Sequence, residues 1–246
     1  MTAPVVRCFG CGHERPGAAD LSGLCPFCLL QLGLDGADEP QSPWLDPVAW
    51  TCRILNVLDV EGGETSYLAE QAAPARRLVV LRQVNVPVGS AGERSRASAR
   101  LQALVAFDHP NVAPVLGGLV SETGGLFLVT AYTPGTAVAS YCARERLAPH
   151  DRFALLLPVV EALQRAHDRG LVHGHLTPSR VVVTMRGSTP APIVTGFGPG
   201  LMREPASDSS VDVAAILEVM RCLDLEAPAG EVRTMHELAS RVRARL

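Results

Sequence analysis

Lysine is absent from this 246-residue chain, and all 22 of its basic residues are arginine. Arginine, alanine, glycine and proline are all plentiful, as in GC-rich coding sequences. The absence excludes any chemistry that needs a lysine ammonium, because a guanidinium is a wider planar fork and not a point charge. Also missing is any apolar run near the roughly 18–20 residues that span a bilayer, or an N-terminal signal-peptide pattern. A soluble, cytoplasmic protein with no membrane partner is expected. There is no positive excess either: the net charge is −3, which argues against nucleic acid as the main partner. What is present, 47% hydrophobic and 19% charged residues, is the composition of a globular chain.

Cysteine is concentrated near the start. Cys8-Phe-Gly-Cys11 and Cys25-Pro-Phe-Cys28 are two C-x-x-C pairs separated by thirteen residues. Each such turn brings two thiolates toward a common point, and two turns complete a tetrahedral set suited to structural Zn²⁺. Disulfides are the competing use of these thiols, but a reducing cytosol disfavours them. The expected ligands are therefore Cys8, Cys11, Cys25 and Cys28, with His13 a solvated turn residue. A closed four-cysteine site is structural, and in about thirty residues the metal would supply most of the folding free energy. Residues 1–40 carry Arg7 and Arg15 against five carboxylates. That balance disfavours phosphate binding by the ribbon. The expected layout is a zinc ribbon at 1–32, an acidic, Pro/Gly-containing linker at 33–48, and one larger domain at 49–246.

In that domain, short apolar runs come first, at Arg53–Leu58, Ser66–Glu70 and Leu78–Val84, the first and last of them with β-branched residues. A helix is expected at Glu93–Val105, then strands at Val112–Leu119 and Leu126–Tyr132. Helices follow at Ala137–Ala143 and Arg152–Asp168, then two short apolar runs, Val181–Thr184 and Ile193–Thr195. Helices at Val211–Leu223 and Val232–Arg243 close the chain. Strands first and helices later give an α+β, two-lobed plan.

Several segments, in order and spacing, resemble the serine/threonine protein kinases. Cys52–Leu58 with Ser66–Gln71 looks like their first two strands. Phe107-Asp-His-Pro-Asn-Val112 resembles the turn after the regulatory helix, and Leu126–Gly135 the hinge. Ala166–Ser179, containing Leu-Val-His-Gly-His-Leu-Thr-Pro, resembles the catalytic loop. Thr195-Gly-Phe-Gly198 stands where Asp-Phe-Gly belongs. Ser210-Val-Asp-Val213 resembles the start of the central C-lobe helix, and Arg233–Leu238 the last helix. The matches span nearly all of residues 52–246. The pairing of cysteine knuckles with such a domain also resembles some bacterial kinases. The resemblance implies a two-lobed protein-kinase-like fold, preceded here by the zinc ribbon and ending in a shortened C-lobe.

The same resemblance locates the catalytic positions, and their residues depart from it. Phosphoryl transfer is catalysed by positioning and by neutralising phosphate charge. The three loop glycines that admit phosphates correspond to Asp59, Glu61 and Glu64. Arg82 stands for the phosphate-binding lysine, and Arg100 for its glutamate partner. His175 replaces the catalytic aspartate, Arg180 the metal-binding asparagine and Gly196 the metal-binding aspartate. Val80 stands where a small residue flanks adenine. His173, Phe197, Leu104 and Val115 fit the internal hydrophobic column, with Asp212 as its anchor. Only residues 199–211 separate Gly198 from Asp212, leaving little room for a peptide-substrate platform.

These departures imply a catalytically inactive pseudokinase that acts as a protein-binding scaffold or regulatory module, with structural Zn²⁺ and without ATP or Mg²⁺. The alternative is a divergent ATP-dependent phosphotransferase using Arg82 and another metal site. Two further expectations follow. Asp59, Glu61 or Glu64 folds inward to neutralise Arg82 or Arg100. Helix Val211–Leu223, apolar almost all round, exposes part of its surface for self-association or a protein partner.

Overall fold

In the computed structural model, residues 5–7, 14–16, 52–61, 64–72, 76–85, 90–120, 125–198, 205–228 and 230–246 are described. The chain divides into two compact units, Met1–Ser98 with Leu116–Tyr132, and Ala99–Val115 with Thr133–Leu246.

The first unit starts with a short antiparallel pair, β1 (Val5–Arg7) and β2 (Glu14–Pro16), with Val5 opposite Pro16 and Arg7 opposite Glu14. Cys8, Cys11, Cys25 and Cys28, and the 33–48 linker, lie outside the described residues. The main sheet follows, from β3 (Cys52–Glu61), β4 (Glu64–Gln71) and β5 (Arg77–Asn85) to β6 (Val115–Val120) and β7 (Gly125–Ala131). Its order is β3-β4-β5-β7-β6. Strand alternation puts Tyr67, Ala69, Val79, Leu81, Phe127 and Val129 on one face, where they form a buried cluster with Cys52. Two register shifts in β3, between Ile54 and Asn56 and between Val57 and Asp59, keep Ile54 and Val57 packed on that cluster. Leu55 and Leu58 fall in the shifts and are 41% and 46% exposed.

Helix α1 (Ala91–Val105) opens with a reciprocal cap: Glu93 N donates to Ser90 Oγ at 3.2 Å, and Ser90 N donates to the Glu93 carboxylate at 2.8 Å. Ala97, Leu101 and Leu104 are its buried positions.

In the second unit, β8 (Thr136–Ala137) leads into α2 (Val138–Arg144) and α3 (Pro149–His167). A single 3₁₀ turn, Pro178–Arg180, precedes β9 (Val181–Arg186) and β10 (Thr189–Val194). These strands form an antiparallel sheet, β10-β9-β8. Close approach of the chain to β9 requires Gly135, because a Cβ there would meet Val183 O at 2.5 Å. Asn111 docks the His109-Pro-Asn turn: its Nδ2 donates to Pro192 O at 2.8 Å, and its carbonyl accepts from Val194 N at 2.7 Å. Residues 112–114 are consequently not in the expected strand; Val112 forms a lone parallel bridge with Val194, and β6 begins at Val115.

Helices α4 (Pro205–Cys222) and α5 (Met235–Arg243) complete the unit, and α3 packs against both. Of the apolar helix Val211–Leu223, expected to expose part of its surface, most of the large side chains are covered, while Ala214 and Cys222 are exposed. Val213, Ile216, Val219, Met220 and Leu223 are buried, and Val211 and Leu217 are half-buried. Helices α3 and α5 both pack against α4 and cover that side of it. No other helix lies between α4 and α5 among the described residues. No helix among the described residues is long and apolar enough to cross a membrane.

Candidate functional site

The glycine-loop and lysine positions belong to the first unit. Pairing of β3 with β4 runs to Glu61 opposite Glu64, so only Gly62 and Gly63 connect the strands. Asp59 is exposed, opposite Ser66; Glu64 is buried, 5% exposed. The Glu61 side chain lies outside what is described. Arg82 is 6% exposed on β5, and its Nε donates to Ser66 Oγ at 3.2 Å. Register makes this contact: Asp59, Ser66, Arg82 and Leu128 stand in one row across the sheet. Glu64, two residues before Ser66, lies on the same face and diagonal to Arg82, within reach of a long side chain. Of the three carboxylates, one of which is expected to turn inward, Asp59 is exposed on the edge strand and Glu64 is buried. Val80 is half-buried, between Leu68 and Thr130 in the register. Arg100 is half-buried on α1.

The second unit carries the loop and metal positions, organised by Asp212. This side chain, fully buried at the start of α4's apolar stretch, accepts from the backbone N–H of His173 at 2.8 Å and of Gly174 at 2.9 Å. His167 Nε2, at the end of α3, lies 2.8 Å from the same carboxylate. Burial pushes the Asp212 carboxyl up. The His167 hydrogen bond, the neighbouring His173 ring and the two amides outweigh burial and hold it below its ordinary value.

His173 is also fully buried. The backbone N–H of His175 donates to His173 Nδ1 at 3.3 Å, which leaves Nε2–H to donate to Thr195 O at 2.9 Å. Its ring lies 4.7 Å from that of Phe197, tilted by 60°. Phe107 extends the group, 6.3 Å from Phe197, with His109 stacked on it and the Arg169 guanidinium 5.4 Å over its ring. Leu104, Val115, His173, Phe197 and Asp212, the expected column and anchor, are all buried.

At the metal positions, Arg180 ends the 3₁₀ turn and is 5% exposed. Its Nη1 donates to the carbonyl of Gly196 at 3.4 Å. Thr195 N donates to Arg180 O at 2.8 Å, and the Thr195 hydroxyl does so at 3.2 Å. The two residues that the sequence resemblance sets at metal-ligand positions therefore touch each other. Magnesium takes oxygen ligands in octahedral geometry. A cation and a glycine do not fit it. His175, at the catalytic aspartate position, is half-buried.

Three participants were not singled out by sequence: Ser66, His167 and Thr195. Ser66 is legible once β4 is registered against β5, and Thr195 once the loop is closed on Arg180. His167 lies one turn of chain before the loop, and only the folded helix brings it to Asp212.

A separate cavity of about 330 Å³ lies among the ends of α3, α4 and α5, lined by Gln164, His167, Ser209 and His236 among others. Its polar groups engage one another: Gln164 with His236 at 2.8 Å, and His167 with Asp212. Among the described residues, no group of three metal-ligating side chains occurs.

This arrangement of sheet, helices and loop is that of a protein-kinase-like fold. The kinase domain of PknI from Mycobacterium tuberculosis superposes with a TM-score of 0.55 at 18% identity, covering 80% of this chain and 96% of that one. Among curated relatives, the serine/threonine-protein kinase pkn2 of Myxococcus xanthus is 28% identical over 194 residues, 76% of this chain and 23% of the relative. PkaB of Streptomyces coelicolor is 36% identical over 111 residues, 42% of this chain and 26% of the relative. PknG of Mycobacterium leprae is 28% identical over 207 residues, 75% and 26% respectively. The chain spans about a quarter of the length of these relatives. No family model matches the chain.

Proposed function

We propose that this chain is a catalytically inactive, kinase-like module that works by binding a protein partner or a second copy of itself. The observation that carries the reading is the contact of Arg180 with Gly196, at the two positions where the kinase resemblance expects metal ligands. Further support comes from Arg82, engaged with Ser66, and from buried Glu64 at a phosphate-loop position, where a carboxylate repels a polyanion. The residues of the expected column and its Asp212 anchor are meanwhile buried, which is compatible with a kept fold. We further propose that Cys8, Cys11, Cys25 and Cys28 hold one structural Zn²⁺. Four thiols are a zinc donor set, and the paired strands β1 and β2 bracket the first two in sequence. The setting is cytoplasmic, with neither nucleic acid nor membrane as partner.

A second reading, a divergent ATP-dependent phosphotransferase, is favoured by the names of the relatives, all of them serine/threonine-protein kinases. One experiment separates the two. Thermal unfolding of protein with its zinc content measured is followed with millimolar ATP or ADP, with and without Mg²⁺. A ligand at about 100 times its dissociation constant adds about 2.7 kcal/mol of stability. The inactive module shows no shift; a Mg²⁺-dependent shift of several degrees establishes the phosphotransferase reading instead.

A further inference from the structure

We infer that Arg180 is a built-in replacement for the divalent metal, an internal cation that pins the Thr195–Gly198 segment to the loop before it. The inference rests on the inactive reading for its assignment of the metal positions, and goes beyond it by giving the substituted residues a task.

Two departures from the kinase pattern make one device. Gly196 has φ +93°, a conformation that strains L side chains. Its carbonyl accepts from the Arg180 guanidinium at 3.4 Å. Arg180 is buried, so the charge is fixed in a water-poor setting, where a charge-assisted hydrogen bond is strengthened. The backbone of Arg180 is tied to the same segment, its carbonyl accepting from both the N–H and the hydroxyl of Thr195. From the other side, His173 donates to Thr195 O and lies against the Phe197 ring. In a metal-dependent loop the ion arrives and departs with nucleotide. A guanidinium is covalently attached and stays protonated across the accessible pH range. The segment is accordingly held in one arrangement at all times, with Phe197 buried, whatever the metal or nucleotide supply.

The test is amide hydrogen exchange on the full chain, resolved to peptides covering residues 193–198. Wild-type protection there should be the same, within about twofold, in EDTA and in millimolar Mg²⁺. Arg180→Met should lose protection in that peptide by about tenfold or more, as removal of a charge-assisted bond implies, with Arg180→Lys recovering part of it. Should Arg180→Met unfold throughout, Arg180→Gln decides, since it keeps a neutral N–H donor and removes the charge: local loss at 193–198 supports the device, and unchanged protection overturns it. Protection that rises with Mg²⁺ in the wild type, or survives in Arg180→Met, also overturns it. A Mg²⁺-dependent thermal shift with ATP would defeat the inactive reading while leaving the Arg180→Met result to stand by itself, so the two failures are distinguishable.

Discussion

Replacing Asp212 with asparagine should destabilise the protein by about 3 kcal/mol at neutral pH, the scale of losing one or two hydrogen bonds to a buried charge. The carboxylate is fully buried and serves three donors, the N–H groups of His173 and Gly174 and the ring of His167. Asparagine keeps the shape, but one of its two termini becomes a donor and faces a donor. Hydrogen bonds to a charged group contribute about 1.5–3 kcal/mol each, and a stranded buried N–H costs a similar amount. For a chain of this size, about 3 kcal/mol corresponds to a fall in Tm of roughly 6–12 °C. Urea unfolding followed by far-UV circular dichroism, repeated across pH, is the assay. The sign follows from the depressed carboxyl. Its stabilisation is complete above the unfolded-state value near 3.9 and is lost as pH falls through the lower folded-state value. The gap between wild type and Asp212→Asn should therefore narrow below about pH 4. A variant within about 1 kcal/mol of wild type at pH 7, or a gap that persists unchanged into acid, would refute the reasoning.

Two smaller perturbations probe the scaffold. Gly135→Ala places a methyl 2.5 Å from Val183 O and 2.6 Å from Val182 Cγ1, and since the first contact is with backbone it should cost about 1–3 kcal/mol in urea unfolding. Ser90→Ala removes half of the reciprocal cap of α1 and should cost about 1 kcal/mol, with the loss in hydrogen-exchange protection confined to the first turn of the helix.

Much of the fold was legible because its periodicities are plain. The short apolar runs in Ser66–Glu70 and Leu78–Val84 are β4 and β5, and the helical stretch Arg152–Asp168 is α3. Errors came where a single residue breaks a period. In β3 the register shifts at Leu55 and Leu58 are invisible to a two-residue repeat, since both are ordinary strand residues. The 112–114 segment is apolar like a strand, yet its backbone is spent on β10 and the Asn111 turn. The onset of α1 at Ala91, two residues before the expected Glu93, is set by Ser90 and Glu93, a reciprocal cap three residues apart. In the site, residue types revealed which groups are foreign to the kinase pattern. They did not reveal that Arg180 and Gly196 meet, because that depends on the φ of one glycine. Nor did they show which part of α4's apolar surface is covered, a matter of how α3 and α5 pack on it.

The grip of Asp212 falls on amide hydrogens, a feature that residues 173 and 174 would share with any non-proline replacement. Such a hold is blind to side-chain identity. The loop can thus exchange its functional groups one after another without loosening its attachment, subject only to the positive φ of 78° at Gly174. That gives a physical route by which a side chain of the loop, such as that of residue 175, can be exchanged while the loop stays correctly seated for new recognition chemistry.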